Sequence, residues 1–158
     1  MQRMRPICKI YSIRQHARLT NFAFIYHHPL MPKYQISVKV RPEYLPDRSN
    51  PEANEYVFAY HVTITNTGQI AAQVIARTWN INHASGLHEK VKGLAVVGHQ
   101  PLLQPGEVFE YSSGCVLTTP TGMMHGSLFC IAEDCEKFEA IIPVFVLDAL
   151  SPSGRTLH

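Results

Sequence analysis

The chain has 158 residues, 46% hydrophobic and 16% charged, so it is globular rather than disordered, and one domain can bury a core without staples. Its formal net charge of +2 hides a split: eight of the 14 Lys and Arg precede Glu43, and from Glu43 onward six basic residues face all 12 acids. An acidic body is a poor match for phosphate backbones, which argues against a nucleic-acid partner, and no apolar run approaches the roughly 20 residues of a membrane-crossing helix.

The segment before Met31 is basic and acid-free. Its composition fits an RNA-binding arm or an organelle transit peptide. It also fits translated sequence upstream of a start at Met31, and this is the expectation, because a patterned strand begins only at Tyr34. Residues 1–30 are therefore read as an extension, 31–150 as the domain and 151–158 as a flexible tail.

From Tyr34 the period is two. Ile36, Val38 and Val40 share a parity until Pro42 ends the run, and Pro46, Asp47, Asn50 and Pro51 mark an irregular loop. Tyr56, Phe58, Tyr60, Val62 and Ile64 form the clearest apolar face, opposite Ala59, His61, Thr63 and Thr65. That run stops at Asn66-Thr67-Gly68, where Asn and Gly tolerate the positive φ of a tight turn. In the third run, Val74 to Ile81, the residues Ile75, Trp79 and Ile81 share a parity with Arg77 between them. Trp79 is expected to plug the core.

Asn82 to Gly86 reads as a turn, followed by short strands around His88–Val91 and Val96–Val97 and a reverse turn at Leu103-Gln104-Pro105-Gly106-Glu107. Val108, Glu110 and Ser112 then alternate with Phe109, Tyr111 and Ser113. After Thr119-Pro120-Thr121-Gly122 come runs over Ser127–Ala132 and Phe138–Leu147. Pro143 in the last run removes a backbone donor, which places that strand at an edge or gives it a bulge. About seven or eight short strands with no amphipathic helix predict an all-β fold, an immunoglobulin- or fibronectin type III-like β-sandwich.

Cys8, Cys115, Cys130 and Cys135 contain no C-x-x-C pair and no zinc-finger spacing. Cys130 and Cys135 flank the turn Ala132-Glu133-Asp134, but without a signal peptide they are read as reduced, half-buried thiols.

Several stretches resemble one family. They are Val91 to Pro101, Leu103 to Gly114, Thr119 to Gly126 and Ile142 to Leu147, with Tyr56 to Tyr60 and Arg77-Thr78-Trp79 upstream. Together they are similar to the signature of the ApaG family, also called CorD, over about Tyr34 to Leu147. The resemblance implies a fibronectin type III-like sandwich in a small bacterial cytoplasmic protein with no established enzymatic activity. It also implies a link, in some bacteria, to cobalt and magnesium tolerance. Related eukaryotic domains, fused to an F-box or found in a polymerase-interacting protein, imply a protein-interaction module.

The candidate sites follow from the residues. Gly93-Leu94-Ala95-Val96-Val97-Gly98 resembles a glycine-rich phosphate loop, although Ala95 replaces the middle glycine and His99-Gln100-Pro101 opens no helix whose N-terminus could hold a pyrophosphate. Arg77 shares the inward parity of Trp79. An unpaired buried guanidinium is costly, so it snorkels from a bulged strand to a sheet edge, pairs with Glu107 or Glu110, or faces an anion in a groove. His61, His83, His88, His99 and His125 are expected on loops or polar strand faces, without metal-ligand spacing. Ser112 and Ser113 lack a hydrolase elbow, and Cys115 reads as core rather than as a nucleophile beside His125. No catalytic residue, metal ligand or cofactor is assigned.

The favoured function is a non-catalytic interaction module that presents a sheet face or edge, with the loops Pro42–Asn54 and Gly93–Pro101, to a protein partner. The alternative is a binder of nucleotide, pyrophosphate or a divalent cation through Gly93, Gly98, His99 and Arg77.

Overall fold

A computed structural model of the chain describes residues 31–151. The expectations for residues 1–30, for Cys8 and for the tail beyond Ser151 lie outside the described residues. The described part is a two-sheet antiparallel sandwich of eight strands, the expected all-β class. The smaller sheet has the order β1 (Ile36–Tyr44), β2 (Tyr56–Asn66), β6 (Val108–Leu117). The larger has the order β4 (His88–Leu94), β3 (Ala72–His83), β7 (Thr121–Ala132), β8 (Lys137–Asp148), with the short β5 (Leu102–Leu103) also paired to β3.

Alternation decides which face is buried, because successive strand side chains point to opposite sides. On β2, Phe58, Tyr60, Val62 and Ile64 are buried while His61, Thr63 and Thr65 look outward. Burying each such aliphatic or aromatic side chain contributes about 1.5–3 kcal/mol. Trp79 is the expected plug. Its ring stands edge-on to Phe145 of β8, centroids 5.8 Å apart, and to Tyr60 of the facing sheet, 5.3 Å away. Such edge-to-face pairs add about 0.5–1.5 kcal/mol each beyond their area. Opposite Trp79 on β7 lies Gly126, where a Cβ would fall 2.0 Å from the Thr78 carbonyl oxygen, so only glycine allows β3 and β7 to approach this closely.

Several local expectations are corrected. Pro42 does not end the first strand: β1 continues to Tyr44, and as an edge strand it accommodates a residue with no N–H. A β-bulge between Val74 and Ala76 switches parity within β3, so Val74 is buried and Ile75 half-buried, the reverse of the alternation read from Trp79 backward. The same parity carries His83 inward. It is buried rather than on a loop, and its Nδ1 accepts the Thr118 backbone N–H at 3.1 Å. Its Nε2 lies 3.2 Å from Glu89 Oε1 without the alignment of a hydrogen bond. Gly68 serves close approach rather than positive φ, since a Cβ there would meet the Lys33 carbonyl oxygen at 2.7 Å. Pro143 sits both on an edge strand and beside an irregularity, the register shift opposite Met124 and Gly126.

Two side-chain staples close the sandwich. Asn66, buried at the end of β2, donates from Nδ2 to the carbonyls of Ile70 and Leu103, and its Oδ1 accepts the Gly68 N–H. Tyr34 donates its hydroxyl to Asp134 Oδ2 at 2.7 Å and Lys33 Nζ lies 3.0 Å from the same oxygen, tying the approach to β1 onto the β7–β8 turn.

Candidate functional site

Strand β4 is the outer edge of the larger sheet, and all of its residues except Gly93 are exposed. An edge strand leaves one row of backbone donors and acceptors unpaired by its own sheet. Register with β3 places His88, Lys90 and Lys92 beside Asn82, Asn80 and Thr78 on the outward face. Val91 lies opposite Trp79 on the inward parity, yet it is 44% exposed, since among the described residues no strand covers that side of β4.

The chain leaves β4 through residues 93–99 in an unusual conformation. Ala95, Val97 and Gly98 all have positive φ, at 63°, 51° and 79°. Such angles cost an L-residue about 1–2 kcal/mol, most for a β-branched one such as Val97. The loop is nonetheless anchored. Ala95 N–H donates to Ile75 O, Val96 and His99 exchange backbone bonds, and the Val96 side chain is fully buried. Arg77 completes the anchor. Its guanidinium lies over Gly93 and donates from Nη1 to the carbonyls of Ala95 at 2.5 Å and Leu94 at 3.5 Å. This is the bulged, edge-seeking arrangement of the three read from the sequence. The acids considered as partners are engaged elsewhere: Glu107 Oε2 accepts Gln104 N–H and Glu110 Oε1 accepts Thr63 Oγ1–H.

Arg77 thus reaches from β3 to Gly93 at the start of the loop that carries Gly98 and His99, but the amides of Ala95, Val96 and His99 are taken up in main-chain bonds. His99 packs its ring 5.9 Å from Phe109. What the loop displays outward is apolar: Leu94 is 79% and Val97 48% exposed.

The other candidates scatter. Among the described residues no group of three His, Cys, Asp or Glu side chains is placed to hold a metal ion. Cys115 faces the core beside Met124, 3.6 Å between sulfurs, while His125 lies between two buried neighbours on the opposite face of β7. Burial pushes the Cys115 thiol up to about 11 and that of Cys130 to about 12, so neither is a thiolate at neutral pH. Cys130 and Cys135 are not joined by a disulfide.

One constellation escaped the sequence. On the outer face of the smaller sheet Arg41, His61 and Ser112 stand side by side across β1, β2 and β6. His61 bridges Ser112 Oγ at 2.6 Å through Nδ1 and Glu43 Oε2 at 2.9 Å through Nε2. The only signal was parity, which put His61, Glu110 and Ser112 on polar faces without saying that those faces adjoin.

Residues 46–132 match the ApaG domain family. The chain is 59% identical over 137 residues to Protein ApaG of Acidovorax sp. strain JS42, covering 81% of this chain and all of that one. It is 56% identical over 126 residues to Protein ApaG of Thiobacillus denitrificans, covering 80% of this chain and 96% of the relative. A crystal structure of a Bordetella pertussis protein described as ApaA superposes with a TM-score of 0.75 at 48% identity, over 77% of this chain and 99% of the other.

Proposed function

The chain belongs to the ApaG family, and from that premise we propose that it is a non-catalytic binding module whose open β4 edge and adjoining loop engage a protein partner. The observation that carries this reading is the continuity of β4 with the strained, Arg77-anchored loop. A strand edge unpaired among the described residues, with exposed Leu87 and Val91, runs directly into a fixed platform presenting Leu94 and Val97. Backbone strain persists where surrounding structure enforces it, and it concentrates at binding elements. A free edge recruits an extended segment through main-chain hydrogen bonds, with alternate side chains supplying selectivity. Lys90 and Lys92 discourage pairing with a second copy of the same edge and favour an acidic strand. On this reading the family's link to cobalt and magnesium tolerance runs through the partner.

The test is capture from the source cytoplasm with the full chain as bait, beside Leu94→Glu/Val97→Glu and Lys90→Glu/Lys92→Glu baits. All four positions are exposed, so the substitutions leave the core untouched. A partner retained by the parent and lost from both variants supports the proposal. A partner captured equally by all three, or none where a control bait succeeds, refutes it.

A further inference from the structure

The outer face of the smaller sheet carries a second polar site, independent of β4. Two rows cross its three strands: Arg41, His61 and Ser112, and beside them Lys39, Thr63 and Glu110. They line an open groove of about 500 Å³. The acids here are already engaged, Glu43 with His61 and Glu110 with the Thr63 hydroxyl. The two cations are not: among the described residues Lys39 and Arg41 form no ion pair and no side-chain hydrogen bond. They are two residues apart on one strand face, about 7 Å along the chain, so both side chains can reach a single phosphate-sized group.

The hydrogen-bond chain decides how this groove responds to protons. A carboxylate only accepts, so Glu43 requires the proton on His61 Nε2. In the neutral ring Nδ1 is then an acceptor and consumes the Ser112 hydroxyl hydrogen. When the ring is protonated, Nδ1–H donates to Ser112 Oγ, and the hydroxyl hydrogen turns outward. The charged groups facing His61 are Lys39, Arg41 and Glu43 from β1 and Glu110 from β6; His61 is the only titratable group of β2 on this face. Protonation therefore shifts the groove from balanced charge to net positive and releases one further donor at the same time.

We propose that this groove is a proton-linked binding site for a tetrahedral oxyanion of the phosphate or sulfate class, held by Arg41, Lys39 and the Ser112 hydroxyl and gated by His61. The experiment is a backbone NMR titration of the full chain with sodium sulfate at constant ionic strength. Sulfate keeps its charge between about pH 6 and pH 7.5, so a change in its binding across that range comes from the protein. Saturable shifts are expected at Arg41, His61 and Ser112, weakening several-fold from the lower pH to the higher and by no more than about tenfold per pH unit for one linked proton. Lys39→Gln/Arg41→Gln abolishes the saturation, and His61→Thr removes the pH dependence while the double variant still captures any β4 partner. Repeating the titration with inorganic phosphate and phenyl phosphate separates a free ion from an ester: equal affinities assign the ion, tighter phenyl phosphate the ester. Shifts that rise linearly and everywhere, that centre on residues 93–99, or that survive the double variant overturn the proposal, whatever happens at β4.

Discussion

Replacing Asn66 with alanine tests how the end of β2 is held to the loop and to β5. The side chain is 1% exposed and makes three hydrogen bonds: Nδ2 to Ile70 O at 2.9 Å, Nδ2 to Leu103 O at 2.8 Å, and Oδ1 from Gly68 N at 2.9 Å. Alanine leaves all three backbone partners in place and removes what satisfies them. The Leu103 and Gly68 bonds are buried, and each orphaned group costs about 1–3 kcal/mol. The Ile70 carbonyl is partly exposed and recovers a water, which limits its share to roughly 0.5 kcal/mol. The expected loss is about 2.5–6.5 kcal/mol, a large part of the about 5–15 kcal/mol that holds a domain folded. Urea unfolding followed by the fluorescence of the single Trp reads it directly. For a slope near 1.5 kcal/mol per molar the midpoint falls by about 2–4 M with the slope unchanged. Asn66→Asp is a sharper control, because it keeps the acceptor for Gly68 but aims a carboxylate at two carbonyls. The folded-state pKa of that acid is raised, so this variant is least stable at neutral pH and regains stability as pH falls towards the unfolded carboxyl range. A loss below about 1 kcal/mol for Asn66→Ala would mean that water replaces the staple and that the reasoning fails.

Val97→Asn replaces a β-branched residue at φ 51° with one that tolerates this region. Because Val97 is half exposed, thermal unfolding should show a gain of about 0.5–1 kcal/mol. The Tyr34 hydroxyl, then Lys33, hold the Asp134 carboxyl down to about 2. Its contribution is therefore complete above the unfolded carboxyl pKa of about 4 and lost between about pH 4 and pH 2, so the stability advantage of the parent over Asp134→Asn should shrink across that window in acid titration. Cys115 and Cys130, whose thiols burial keeps protonated, should escape iodoacetamide in the folded chain and be alkylated in urea, as read by peptide mass spectrometry; native labelling of either refutes the inward assignment.

Parity was legible wherever a strand runs regularly. The inward set of β2, the alternation of β6 and the Trp79 plug all stand as the period-two pattern implied. What parity cannot carry is a change of phase. The bulge between Val74 and Ala76 exchanged Ile75 for Val74 in the core without any glycine or proline to announce it. It also left Arg77 on the inward parity, where a sheet edge and two carbonyls satisfy it. Strand β7 begins at Thr121 rather than Ser127, because Gly122 and Gly126 resemble turn residues when they in fact permit close approach to β3.

The same limit explains why the loop site was visible in the sequence and the groove was not. Gly93 to His99 is contiguous, so its chemistry can be weighed as a string. Glu43, His61 and Ser112 are separated by 18 and 51 positions, and they meet because β1 pairs with β2 and β2 with β6 in one particular register. A one-residue slip of β6 would turn Ser112 into the core and present Tyr111 to His61. What fixes the register lies at the far end of the pair: Asn66 N–H donates to Glu107 O, Gly106 N–H donates to Asn66 O, and Glu107 Oε2 closes the Gln104–Glu107 turn. The groove is thus a consequence of a turn several residues away, and weakening that turn should disturb His61 and Ser112 together while leaving the Arg77-anchored loop in place.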